Sequence, residues 1–259
     1  MHNSKRLPGA LSAMAAAVLL AACSGGSDSV ADAGTGNGAP ATPPPTTAVF
    51  EVTLVNLTAG QPLSPMVAVA HSDGFSMWKV GEAASVALEQ LAESGEPAPL
   101  AALANDSQSV YATAVAGGGP LVPGPGNQAM VTLTVPVGGL PNLRLSMASM
   151  LGNTNDGFAG LGAQSLATLA VGASVSTRLL GYDAGTERNT ESADTVPGPA
   201  TDKPGGKREG FNPGRDDLVN TVHLHPGVVS KDDGLPSSAL TQAQRWDNPV
   251  ALLTVKRTR

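Results

Sequence analysis

Apolar and polar residues alternate along Val49-Phe50-Glu51-Val52-Thr53-Leu54-Val55-Asn56-Leu57, and this period of two, with β-branched residues, predicts a half-buried strand. Met66–Ala70 predicts a second extended stretch after the turn-prone Gly60-Gln61-Pro62. Between Gly81 and Gly95 the spacing becomes helical: Val86, Leu88, Leu91 and Ala92 can share a face, and Gly95 is placed to end the helix. A second short helix is expected over Pro99–Asn105, and the Gly/Pro-rich Gly117–Gly126 is expected to be a loop. Val131–Val137, Leu143–Leu151, Val175–Leu180, Leu218–Leu224 and Val250–Lys256 predict further strands, the first two joined through Gly138-Gly139-Leu140-Pro141-Asn142. Short strands separated by turn signals predict an all-β fold, an antiparallel β-sandwich with one or two short helices inserted. Asp194–Asp217 lacks periodicity and is rich in Pro, Gly and charge, so a long surface loop is expected there within a single domain spanning residues 48–259.

The pattern before residue 48 is of another kind. Lys5 and Arg6 precede an uncharged run, Ala10–Ala22, which reads as the basic and apolar parts of a secretory signal peptide over residues 1–22; it is too short to span a bilayer. It ends in Leu20-Ala21-Ala22-Cys23, which resembles the bacterial lipobox, where the thiol is alkylated by diacylglycerol and cleavage leaves the cysteine first. Cys23 is therefore the expected lipidation site and the membrane the first expected partner, because two acyl chains anchor stably where one does not. Residues 23–47 are Gly-, Ser- and Ala-rich and then Pro-rich, a composition expected to form a disordered linker. Ser24 is not the Asp that commonly signals inner-membrane retention, so export to the outer membrane is expected if the cell is Gram-negative.

Composition narrows the chemistry. A net charge of −6 argues against nucleic acid, which rewards a basic face. Cys23 is the only cysteine, so a disulfide or thiolate metal site is excluded and any bound ion is expected to be a hard, oxygen-ligated one. Three acids lie in turn-forming contexts: Asp156 in Asn153-Thr154-Asn155-Asp156-Gly157-Phe158, and Asp183 with Glu187 in Tyr182-Asp183-Ala184-Gly185-Thr186-Glu187. Two such loops meeting at one end of a sandwich can supply the oxygens calcium takes, with Gly157 and Gly185 bending the backbone. The plainer reading is solvated loop acids around an Asp-Gly turn. His223 and His225 form a His-x-His pair that would share one face of a strand, and without a carboxylate at recognisable spacing they read as surface or packing residues. His71 is expected to make a structural hydrogen bond, Glu93 and Glu96 to lie on the helix surface, and Phe75 and Trp78 to anchor the core. No Gly-x-Ser-x-Gly elbow and no P-loop lysine is present, and the chain reads as no enzyme.

Four segments in order, Ser64–Trp78, Gly81–Glu96, Asn155–Gly160 and Tyr182–Glu187, resemble the spondin domain of F-spondin and mindin over about residues 48–196. The resemblance implies a C2-like sandwich, a bound calcium, and roles in matrix adhesion and cell-surface recognition. It places Asp156 on the acid of the family's Asp-Trp-Phe loop, and Asp183 and Glu187 on the two acids of its Asp-Ala-Gly-Thr-Asp turn. Gly157 stands where the animal proteins carry an aromatic residue, and Glu187 replaces Asp. Their thrombospondin-type repeats have no counterpart here. The expected protein is a calcium-binding cell-surface lipoprotein acting as an adhesion or recognition module, with a surface protein or glycan as its ligand. A metal-free envelope scaffold, a hydrolase acting on envelope polymers and calcium-dependent membrane docking are the alternatives.

Overall fold

The computed structural model describes residues 44–202 and 206–259; the expected signal peptide, Cys23 and most of the expected linker lie outside the described residues. Strand β1 (Thr47–Asn56) buries Ala48, Phe50, Val52 and Leu54 on one side, as its alternation requires. Strand β2 (Val67–His71) is buried at all five positions, because its two faces meet different layers. Ala68 and Ala70 face the interior of the sandwich, while Val67 and Val69 lie under the two helices.

Helix α1 (Val86–Ser94) starts where the Ser85 hydroxyl accepts the Leu88 N–H at 3.1 Å and ends on the left-handed Gly95. Helix α2 (Ala98–Asn105) follows at once. Leu88, Leu91, Ala92, Leu100 and Ala104 pack onto β2 and its neighbour. Val86 departs from the expected apolar face and is exposed. So does Glu93, expected on the helix surface but only 1% exposed.

The remaining strands are β3 (Val110–Val115), β4 (Ala129–Pro136), β5 (Arg144–Met150), β6 (Gly157–Ser165), β7 (Ser174–Asp183), β8 (His223–Leu224) and β9 (Ala251–Arg257). All pairings are antiparallel, in the order β3-β2-β5-β6-β7-β9-β1-β4. Strand β7 turns the corner of the sandwich: residues 174–179 pair with β9, and the last four pair with β6. The fold is thus an all-β antiparallel sandwich around a core of Phe50, Leu54, Leu133, Leu145, Met147 and Leu253.

Strands β3 and β6 carry little apolar alternation and fall where the sequence predicts none. Strand β8 is two residues long where seven were expected, because Leu218 and Val219 are exposed. It is held by the register Tyr182↔Leu224 and Asp183↔His223 on the end of β7.

Candidate metal centre

The end of β7 and the start of β6 are cross-strand partners, Asp183 opposite Gly157, so their acidic turns meet. The turn before β6 is polar and buried throughout: Asn153, Thr154, Asn155 and Asp156 are each no more than 2% exposed. The Thr154 hydroxyl donates to the Leu151 carbonyl at 2.6 Å and accepts the Gly157 N–H at 2.9 Å, which fixes the bend. Asn155 donates to Thr195 Oγ1 at 2.8 Å and accepts the Glu191 N–H at 3.2 Å, tying the turn to the long loop after β7.

In the second turn the Asp183 Oδ1 accepts the Gly185 N–H at 2.8 Å. Gly185 has φ +71°, and a Cβ there would lie 2.5 Å from the Thr221 backbone, so only glycine lets the 220s segment close over this turn. Asp156 Oδ2 accepts three bonds, from the Thr186 N–H at 2.7 Å, the Thr186 hydroxyl at 3.1 Å and the Glu187 N–H at 3.1 Å. Its Oδ1 accepts none, although the residue has no exposed surface. Glu187 Oε2 is likewise buried and without a partner.

Charge is not balanced here by basic side chains. Among the described residues no lysine or arginine pairs with Asp156, Asp183 or Glu187. Burial, then the charge of Asp183, pushes the Asp156 carboxyl well above the usual carboxylate range. Burial, with the nearby Glu93, Asp156 and Asp216, pushes Glu187 up to about 8. Asp156 and Glu187 thus each hold a desolvated oxygen that lacks a positive partner, the donor chemistry a hard cation satisfies.

Asp183 also faces groups that the sequence does not single out together. Its Oδ2 accepts from Asn189 Nδ2 at 2.7 Å and lies 3.8 Å from His223 Nε2. Asp183, Asp217 and His223 each place one ligand atom within 4.8 Å of the other two, a set that does not include Asp156 or Glu187. His225, the other half of the His-x-His pair, is 4% exposed and packs on Trp246 with ring centroids 5.0 Å apart. Its Cδ2 lies 3.0 Å from where a Cβ on Gly157 would be, so the imidazole fills the space of a side chain at 157.

A family model for the spondin N-terminal domain, Spondin_N, matches residues 58–201. The chain belongs to the spondin N-terminal domain family. No curated protein matches it. The spondin match contains Asp156, Asp183 and Glu187, while Asp217, His223 and His225 follow it in the chain.

The other residues singled out in the sequence take structural positions. His71 closes β2, its Nδ1 bonded to the Ser72 carbonyl at 2.7 Å and its Nε2 to the Ser146 hydroxyl at 2.8 Å. Trp78 packs edge-on to Phe158 and against Tyr182, with ring centroids 5.4 and 4.5 Å apart. Glu93 reaches toward the acidic edge from α1, its Oε2 accepting the Asn212 N–H at 2.8 Å, and burial raises its pKa. Phe75, Trp78, Tyr182, Asp73, Lys79 and Arg144 line a cavity of about 480 Å³, one residue along β7 from Asp183.

Proposed function

We propose that this protein is a lipid-anchored, calcium-binding recognition module of the cell envelope, and that calcium bound by Asp156, Asp183 and Glu187 orders the surface that meets its ligand. The observation that carries the reading is the pair of buried, partnerless oxygens, Asp156 Oδ1 and Glu187 Oε2, in turns with no lysine or arginine to neutralise them. A calcium ion supplies that charge and accepts several carboxylate and carbonyl oxygens at once. Ordering the turns in advance lowers the entropy lost when a partner docks.

A cavity on the sheet face that carries Trp78 and Tyr182 supports a recognition role. Aromatic walls from Phe75, Trp78 and Tyr182, with Asp73, Lys79 and Arg144 at its rim, suit a glycan or the side chains of a surface protein. The tether rests on Leu20-Ala21-Ala22-Cys23, with lipid on Cys23 and residues 24–47 giving reach.

The test is thermal unfolding of the protein with calcium and with chelator. An ion that binds only the folded state, at a hundred times its dissociation constant, stabilises by about 2.7 kcal/mol. The expected result is a raised midpoint in calcium that Asp183→Ala and Glu187→Gln abolish. An unmoved wild-type midpoint identifies a metal-free envelope scaffold instead.

A further inference from the structure

We propose that Asp183, Asp217 and His223 form a second site, for a divalent transition metal ion of the zinc class, next to the calcium position. Acidic side chains gathered at a turn do not by themselves make such a site. The state of the imidazole is what distinguishes this cluster. His223 Nδ1 lies 2.8 Å from the Thr221 carbonyl, which can only accept, so Nδ1 carries a proton and Nε2 is the ring nitrogen left to bind a metal ion. Metal-bound histidines are commonly oriented by this bond from the other ring nitrogen to a carbonyl.

That nitrogen faces a carboxylate. The β7–β8 register sets His223 opposite the fully buried Asp183, and Nε2 stands 3.8 Å from Oδ2. The gap is too long for a hydrogen bond. Zinc takes nitrogen and oxygen donors at about 2.0–2.2 Å, so one ion can bridge it. Asp217 completes the set: one ligand atom from each of the three residues lies within 4.8 Å of the other two, and Asp217 Oδ2 is buried without a partner.

A second feature points to a ligand at the same place. His225 is 4% exposed, and its Nδ1 accepts the Gly227 N–H at 3.0 Å, which leaves the proton on Nε2. That Nε2 is buried without an acceptor, and its ring lies within electrostatic reach of Asp183 and His223. A water on a bound ion would supply an acceptor there. Two carboxylates and an imidazole suit zinc, whereas calcium takes oxygen donors alone. Asp217 and His223 are outside the calcium set, so the inference stands without that reading although the two sites share Asp183.

The experiment is a zinc titration of the full-length, chelator-stripped protein against a chromophoric chelator, in excess calcium. A single zinc ion per chain is expected to bind without displacement by calcium. His223→Ala and Asp217→Asn should each weaken it by at least about 10–100-fold. Glu187→Gln should leave zinc binding intact while removing the calcium response, so either reading can fail alone. His223 lies, partly exposed, on a two-residue strand, and circular dichroism of the variant confirms that the fold persists. X-ray absorption of the zinc-loaded protein should show an imidazole nitrogen at about 2.0–2.1 Å that is lost in His223→Ala. Wild-type protein that binds no zinc in calcium, or a His223→Ala variant with wild-type affinity, overturns the proposal.

Discussion

The sheet made by β1, β4 and β9 and the acidic edge where β6, β7 and β8 meet bury their residues by opposite means. In the first, Phe50, Val52, Leu54, Leu133, Val135, Leu253 and Val255 bury their apolar surface and leave no polar group to satisfy. In the second, the buried side chains are those of Asn155, Asp156, Asp183, Thr186, Glu191 and His225, each placed by named hydrogen bonds. Burying apolar surface stabilises with little dependence on pH or on bound ions, while a buried carboxylate stabilises only with its charge neutralised or matched. The first region's stability is therefore a property of the chain. The second region's depends also on the protonation of its buried carboxylates.

The largest effect that separates them is a cavity in the apolar sheet. Phe50 is 1% exposed at the centre of β1, and Phe50→Ala should cost about 3–5 kcal/mol in urea unfolding. The cost should be the same in calcium and in chelator, since Phe50 touches no part of the acidic edge. A cost that depends on calcium would show that the two regions are one energetic unit.

A smaller effect is expected from the hinge of the acidic edge. Gly185→Ala places an L-residue at φ +71°, a strain of about 1–2 kcal/mol, and drives its Cβ into the Thr221 backbone. The segment through His223 must then withdraw from Asp183. The stability loss should be less than that of Phe50→Ala, yet zinc affinity should fall with it, because His223 and Asp183 are held together by this approach. Unchanged zinc affinity would show that the 220s segment holds its place without Gly185.

The same contrast explains what could be read from the sequence. Strands β1, β4 and β9 are legible because one face is water and the other is core, so polarity reports the period. Strand β6 is hidden by its glycines: a Cβ at Gly160 would lie 2.7 Å from the Trp78 ring, so the strand is glycine-rich in order to seat a tryptophan that is distant in sequence. Asp156, Asp183 and Glu187 were visible as turn acids, and the family resemblance named them together. The meeting of Asp183 with Asp217 and His223 is not legible there, although His223 stands out as half of a His-x-His pair, since only the two-residue register of β8 on β7 brings the 220s to the acidic turns, and its flanking Leu218 and Val219 imitate a longer strand. Glu93 was misplaced because a carboxylate on an amphipathic helix is normally solvated, whereas here the loop at Asn212 covers it.

The smallest expected effect is the dependence on pH, and it divides the acidic edge itself. Without a bound ion, burial holds the Glu187 carboxyl up to about 8 and that of Glu191 up to about 7, both above their ordinary 4.5. Between the ordinary value and these the folded protein carries protons that the unfolded chain has released. Its stability is therefore full below about pH 4.5 and declines as pH rises through 7 and 8. Calcium reverses the Glu187 part, because an ion binds the carboxylate and favours the deprotonated form. Glu191 stays on the falling slope, because its Oε1 accepts only the Val229 N–H at 3.1 Å and its Oε2 is buried with no partner. Unfolding midpoints between pH 5 and 8 should thus fall steeply in chelator and gently in calcium, and Glu191→Gln should flatten the gentle slope while leaving the calcium-dependent difference in place. A slope in chelator that matches the slope in calcium would mean that neither Glu187 nor Asp156, whose carboxyl burial also raises, meets the ion, and would move the calcium position away from these turns.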